Sequence, residues 1–166
     1  MTDPCPPLNL FNWNNFWKWK EEIPMYKHKQ HTYLAGPMEG LTYFEMTEWR
    51  KYATSQLNLR DVDTLDPTRR ISYHDQEKTI YTASRVVKHD LQDIAFSSII
   101  LADLRDSTPG RKWGTVCEIA HAHTKNKIII VLNDKTQFKH PFIEFYATEI
   151  YNDIDKAIDA VSTYYQ

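Results

Sequence analysis

The sequence predicts a three-layer α/β sandwich around a parallel sheet of about five strands. Three observations carry that expectation. Two unbroken apolar runs of strand length, Ile99-Ile100-Leu101-Ala102 and Ile128-Ile129-Ile130-Val131-Leu132, bracket a helical stretch around Gly114–Ala122. Strand, loop, helix, strand is a βαβ unit, and strands apolar at every position belong to a parallel sheet covered on both faces. The same alternation recurs along most of the chain. Finally, 166 residues with 42% hydrophobic and 25% charged content make one ordinary globular domain, large enough to bury a core.

Residues 1–30 stand apart from residues 31–166, which form the domain. The first stretch opens with Pro4, Pro6 and Pro7 and continues Phe11-Asn12-Trp13-Asn14-Asn15-Phe16-Trp17-Lys18-Trp19. Aromatics this dense do not stay solvated, since each can bury a large area. They form an arm that packs on the domain or on a second subunit, or else a stacking platform for single-stranded bases. His31 to Ala35 reads as the first strand, and Gly36-Pro37-Met38-Glu39-Gly40 as a turn. Phe44, Trp49, Tyr52, Ala53 and Leu57 fall near helical spacing, so Tyr43 to Leu57 is an amphipathic helix. Val62 to Leu65 is a short second strand, ended by Asp66-Pro67-Thr68-Arg69-Arg70, where proline forbids continuation. Residues 71–80 are polar and are expected to be a mobile loop over the ligand crevice.

Thr82 to Ala95 is helical, with Val86, Val87, Leu91 and Ile94 as its apolar stripe and His89-Asp90 on the same helix. Strand Ser98 to Ala102 leads into a long charged loop, 103–113. In the next helix Gly114 and Thr115 open the first turn, Glu118 follows about one turn in, and Ile119, Ala120 and Ala122 form the buried side. After strand Lys127 to Leu132 the chain turns at Asn133-Asp134-Lys135. His140-Pro141-Phe142-Ile143 is not expected to be regular helix at the proline. Tyr151 to Tyr164 closes the domain as a helix, capped by Asp153, with Ile154, Ala157, Ile158 and Val161 inward.

Several function classes are excluded by the totals. A formal net charge of −2 does not suit a general nucleic-acid or membrane-surface binder. No apolar run reaches the length of a membrane span, and the N-terminus has no uninterrupted signal-peptide core. Two cysteines, Cys5 and Cys117, form neither a disulfide framework nor a metal motif. The expected setting is therefore the reducing cytoplasm. Cys117 is either a nucleophile beside Glu118 or, more simply, a small buried residue. Only four glycines occur, so there is neither a phosphate-cradling Walker A loop nor a dinucleotide fingerprint, and no ATP, NAD or other cofactor is expected.

In parallel α/β sheets, ligands bind beyond the carboxyl ends of the strands, where helices begin. The polar residues placed there are Gly36 to Glu39, Asp66, Asp103 to Asp106, Arg111, Lys112, Glu118 and Asn133, joined by Asp90 if its helix leans over the same edge. A carboxylate near the start of a helix either complements the helix dipole, worth about 0.3–1 kcal/mol, or faces the ligand. The seven histidines are scattered, and His121-Ala122-His123 puts two of them on different helix faces, a poor chelate. No metal site is expected, and no nucleophile-elbow motif is present. Carboxylates without metal suit chemistry at a sugar anomeric carbon: one attacks or stabilises an oxocarbenium-like centre, and another handles the leaving group's proton. Glu118, rooted on a helix, is the natural nucleophile, and Asp90 its natural acid/base partner.

The motifs also resemble a known family. Tyr33-Leu34-Ala35-Gly36-Pro37-Met38, Trp49-Arg50, Leu65-Asp66-Pro67-Thr68-Arg69, His89-Asp90-Leu91-Gln92-Asp93-Ile94 with Ile99-Ile100-Leu101-Ala102-Asp103, Gly114-Thr115 with Glu118 and Ala122, and His140-Pro141-Phe142-Ile143 are similar, in this order, to the nucleoside 2-deoxyribosyltransferases. The likeness covers residues 32–160. It implies a flavodoxin-like fold and a homo-oligomer whose active sites are completed by a neighbouring subunit. It implies ping-pong transfer of 2-deoxyribose between bases through a glycosyl-glutamate, with Glu118 as nucleophile and Asp90 serving the base proton. It places Gly36, Pro37 and Met38 beside the nucleoside, Asp66 and Arg69 at the base, and Arg111 and Lys112 at the sugar's 5′ side, with Asp103 and Gly114 as further substrate-binding candidates. Asn133 or His140 would cross into the neighbour's site.

Two departures qualify the resemblance. Phe96-Ser97-Ser98 stands where many relatives carry an Ala-Asp pair, a loss of one surface charge. Arg111-Lys112 suits a phosphate better than a free hydroxyl. An N-glycosidase of (deoxy)nucleoside 5′-monophosphates, breaking the same bond with water, is therefore an alternative, and a non-catalytic nucleotide-sensing module is another.

Overall fold

In the computed structural model the described residues are 30–71, 82–105, 112–134 and 140–166. The aromatic arm, most of the polar loop expected at 71–80, and Arg111 lie outside the described residues. Five parallel strands form one sheet in the order β2-β1-β3-β4-β5. They are β1 (His31–Ala35), β2 (Asp63–Leu65), β3 (Ile99–Asp103), β4 (Ile128–Leu132) and β5 (Glu149–Tyr151). Helices α1 (Tyr43–Asn58), α2 (Ala83–Phe96), α3 (Trp113–Thr124), α4 (Pro141–Tyr146) and α5 (Ile154–Thr163) connect and cover them. The order reverses between β1 and β3, the switch point at which flavodoxin-like sheets bind their ligands.

Strand alternation splits the core into two layers. Leu34, Ile99, Leu101, Ile130 and Leu132 pack against Ala53 and Leu57 of α1 and Ala157, Ile158 and Val161 of α5. Tyr33, Ala35, Ile100, Ala102, Ile129 and Val131 face Ile94 of α2, Ile119 and Ala122 of α3, and Ile143 of α4. The register is parallel throughout; Tyr33 pairs with Ile100, and Ile100 with Ile129.

Local chemistry sets the element ends. Thr42 caps α1 with a full capping box, its side chain accepting from the Glu45 amide while Glu45 accepts from the Thr42 amide at 2.7 Å. Thr82 caps α2 and Asp153 caps α5 through their side chains. Five expectations need correction. The closing helix starts at Ile154, because Glu149–Tyr151 pairs with β4 as the fifth strand. Pro141 sits at the first turn of α4, where its missing N–H costs nothing, so that segment is helical after all. Asp66-Pro67-Thr68-Arg69-Arg70 is a capped 3-10 turn over Pro67–Arg70 rather than a plain break. Phe44 and Tyr52 of α1 and Val87 of α2 are exposed. The inward positions there are Met46, Arg50, Ala53 and Leu57 on α1, and Asp90, Asp93 and Ile94 on α2. Cys117 is exposed, not buried. Among the described residues, no helix is long and apolar enough to cross a membrane.

Candidate active site

Helix α3 begins at Trp113, one residue earlier than the glycine suggested, and Glu118 therefore lies in its second turn. No acidic residue occupies the first turn, so dipole complementation does not account for Glu118. Its carboxylate instead reaches β1: the hydroxyl of Tyr33 donates to Oε1 at 2.6 Å. Tyr33 is fully buried on the face of β1 that packs on α2 and α3. Burial and the neighbouring carboxyls raise its phenol far above the ordinary range, so it stays a donor.

The Glu118 carboxyl is pushed up to about 7, mainly by burial and further by Asp90, while the Tyr33 hydrogen bond and Arg50 act in the opposite direction. Asp90, buried on α2, is pushed up to about 6, again mainly by burial, with Arg70 pulling it down. Both carboxyls are thereby raised toward neutral pH, the range in which acid/base groups operate. The Arg70 guanidinium stands 4.0 Å from Asp90 but 3.0 Å from Asp93.

Other expected site residues fall into place unevenly. Gly36 closes β1 against α1: a Cβ there would lie 2.8 Å from Cζ2 of Trp49 and 3.0 Å from Nη2 of Arg50, so only glycine fits without displacement. Pro37 is buried and Met38 half-buried in the following turn, which the Leu41 amide closes on the Met38 carbonyl at 3.2 Å. Asp66 is committed to its own turn, accepting from the Thr68 amide at 2.8 Å and the Thr68 hydroxyl at 2.7 Å. Arg69 is bound to both oxygens of Asp93 at 2.7 Å. Lys112 is buried at the N-cap of α3. Gly114 is exposed with open space around it, so nothing in this chain demands a glycine there. Asn133 is buried just past β4, its amide donating to the Tyr151 carbonyl at 2.7 Å. His140 caps α4 and stacks on Phe142.

Asp103 is not gathered with Glu118. It ends β3 on the α1/α5 face, is held by Arg105 at 2.8 Å, and lines a groove of about 670 Å³ with Trp49, Tyr52 and Ile154. A larger hollow of about 1040 Å³ lies at the amino ends of the strands, among Gln30, Asp63, Asp159 and Tyr165, and contains none of the expected site residues. His123 packs on Phe145 and Tyr146, a structural role. Among the described residues, no group of three or more His, Cys, Asp or Glu side chains comes together in a way that could hold a metal ion.

The sequence reading missed Tyr33, Arg50 and Asp93. Tyr33 is the one polar-tipped aromatic in an otherwise apolar strand end. Arg50 follows Met46 by four residues and precedes Ala53 and Leu57 by three and seven, so helical periodicity alone puts it inward. Asp93 shares an inward face with Asp90 and Ile94 for the same reason.

No protein-family model matches the sequence, and no curated protein matches it. Solved structures do. A 2-deoxyribosyltransferase from Bacillus psychrosaccharolyticus superimposes with a TM-score of 0.61 at 14% identity, covering 80% of this chain and 95% of that one. The chain has the fold of the 2-deoxyribosyltransferases. A second such enzyme, from Leishmania mexicana, gives 0.61 at 15% identity over 82% and 99% of the two chains. A CMP N-glycosidase from Clostridium botulinum gives 0.55 at 14% identity over 81% and 99%.

Proposed function

We propose that this protein is a nucleoside 2-deoxyribosyltransferase, moving 2-deoxyribose between nucleobases through a covalent glycosyl-glutamate. The observation that carries the reading is the Glu118 carboxylate held by Tyr33 beside the buried Asp90 at the switch point of the sheet. In the first half-reaction a Glu118 oxygen forms a bond to C1′ as the C1′–N bond to the base breaks. The proton of Asp90 goes to the departing base nitrogen. In the second half, a new base attacks C1′, returns a proton to Asp90, and releases Glu118. The Tyr33 hydrogen bond fixes the attacking rotamer and lets go of charge as the ester forms. The substrate is a nucleoside or nucleotide, the setting is the cytoplasm, and the working form is a homo-oligomer to which Asn133 or His140 contributes across the interface.

The second reading, a (deoxy)nucleoside 5′-monophosphate N-glycosidase, is favoured by the cations Arg111 and Lys112 and by the likeness to the CMP N-glycosidase. Incubating the protein with a 2′-deoxynucleoside and a different free base discriminates. A new deoxynucleoside supports transfer. Free base plus deoxyribose 5-phosphate from a deoxynucleotide supports hydrolysis, and Arg111→Ala should then impair nucleotide use far more than nucleoside use. Binding without turnover of either substrate leaves a sensing module.

A further inference from the structure

Arg50 is a fully buried arginine in the second layer of the fold, and a buried guanidinium is costly unless its charge serves something. It comes from α1, on the face of the sheet opposite Glu118. Nε donates to the Leu34 carbonyl at 3.2 Å, Nη2 to the Gly36 carbonyl at 2.7 Å, and Nη1 to the Met46 carbonyl. These neutral acceptors take three of its five N–H donors and do not cancel its charge. The neighbouring carboxylate, Asp66 at 3.7 Å, is spent on the Thr68 amide and hydroxyl. The strand end and turn that Arg50 grips follow directly on Tyr33, the residue that holds Glu118.

We propose that Arg50 is a positioning residue with two separable roles: its planar fork clamps the end of β1 and the Gly36-Pro37-Met38 turn, and its buried charge favours the ionised form of Glu118 needed for attack. The charged and titratable groups bearing on Glu118 are Tyr33 from β1, Asp90 from α2 and Arg50 from α1. Tyr33 supplies a hydrogen bond and Asp90 a repulsive charge, so Arg50 is the cation of the set. The groups bearing on Arg50 in turn are Asp66, Glu118, Tyr33 and Asp103. Burial raises Glu118, and Arg50 opposes that rise. The catalytic significance of the carboxylate form rests on the transferase reading; the electrostatic link does not.

The test is a substrate-free titration of the Glu118 carboxyl by NMR in protein carrying ¹³C at glutamate Cδ, with Glu118→Gln identifying the resonance. Arg50→Met should raise the Glu118 midpoint by about one pH unit, a tenfold change in its ionisation ratio. Arg50→Lys, which keeps the cation and loses the fork, should leave the midpoint within a few tenths of wild type while raising KM several-fold as the turn loosens. An unchanged midpoint in folded Arg50→Met, or an equal shift in Arg50→Lys, overturns the charge role. Should Arg50→Met fail to fold, Arg50→Gln, which also removes the cation, should raise the midpoint, and an unmoved or lowered one overturns the charge role. Unchanged KM in Arg50→Lys overturns the clamp. Absence of turnover with the midpoints moving as stated removes the transferase reading and leaves Arg50's role intact.

Discussion

Asp90 and Asp93 lie one turn apart on α2, are the same residue type, and are both buried, yet they do different work. Asp93 is gripped by Arg69 at 2.7 Å and by Arg70 at 3.0 Å, and its carboxylate closes a structural knot between α2 and the Pro67–Arg70 turn. Asp90 stands 4.0 Å from the same Arg70 Nη1 that binds Asp93, and burial pushes it up to about 6. Two charges placed against Asp93 leave too little for Asp90 to be held ionised. Burial with a committed partner leaves a carboxyl ionised; burial without one raises it toward the range an acid catalyst needs.

The sharpest way to break this comparison is at the residue Asp90 serves. Glu118→Ala should cut transfer by about a thousandfold or more, since the covalent path is lost; a variant keeping most of the rate removes the mechanism. Next, Asp90→Asn should cost about 10²- to 10⁴-fold in kcat, with little loss of thermal stability. On the proposed mechanism, attack needs Glu118 ionised and departure needs Asp90 protonated. With carboxyls at about 7 and about 6, the kcat/KM profile should be a bell with its maximum between those values. Asp90→Asn should abolish the alkaline limb, and a limb that persists assigns it elsewhere.

Asp93→Asn should reverse that pattern. Leaving two guanidiniums without their anion should destabilise the fold by about 2–4 kcal/mol in denaturant unfolding. Because the Asp93 charge also raises Asp90, the acid limb of the surviving activity, which breaks at the lower of the two values, should move to lower pH. The smallest effect concerns stability at Glu118. Its folded pKa, about 7, exceeds the ordinary 4.5. The native state therefore holds an extra proton in that window, and stability falls as pH rises from about 4.5 through about 7. Glu118→Gln should stabilise the protein at pH 8 by about 1–3 kcal/mol and have little effect at pH 4. Equal melting temperatures at pH 8 place Glu118 in a wetter setting than its contacts with buried Tyr33 imply.

Much of the fold was legible in the residues. Ile99–Ala102 and Ile128–Leu132 are apolar at every position, and only a strand covered on both faces wants that. The cap at Asp153 acts over a few residues and is readable for that reason. The fifth strand, Glu149–Tyr151, was missed because three residues of mixed polarity carry no periodicity, and pairing with β4 decides them. Pro141 was read as a breaker because its effect depends on whether it stands first in a helix or inside one, which is set by where the chain enters.

The sequence by itself determined the layered parallel architecture and singled out Glu118 and Asp90, since hydrophobic period and residue chemistry are local properties. Only the tertiary structure decided that Tyr33 holds Glu118, that Asp103 belongs to the other face of the sheet, and that Arg50 lies buried beneath the β1 turn. Those facts depend on which side of the sheet each residue projects from and on which distant groups share its low-dielectric surroundings. Hydrogen bonds and ionisation respond to distance in space, which separation along the chain does not encode.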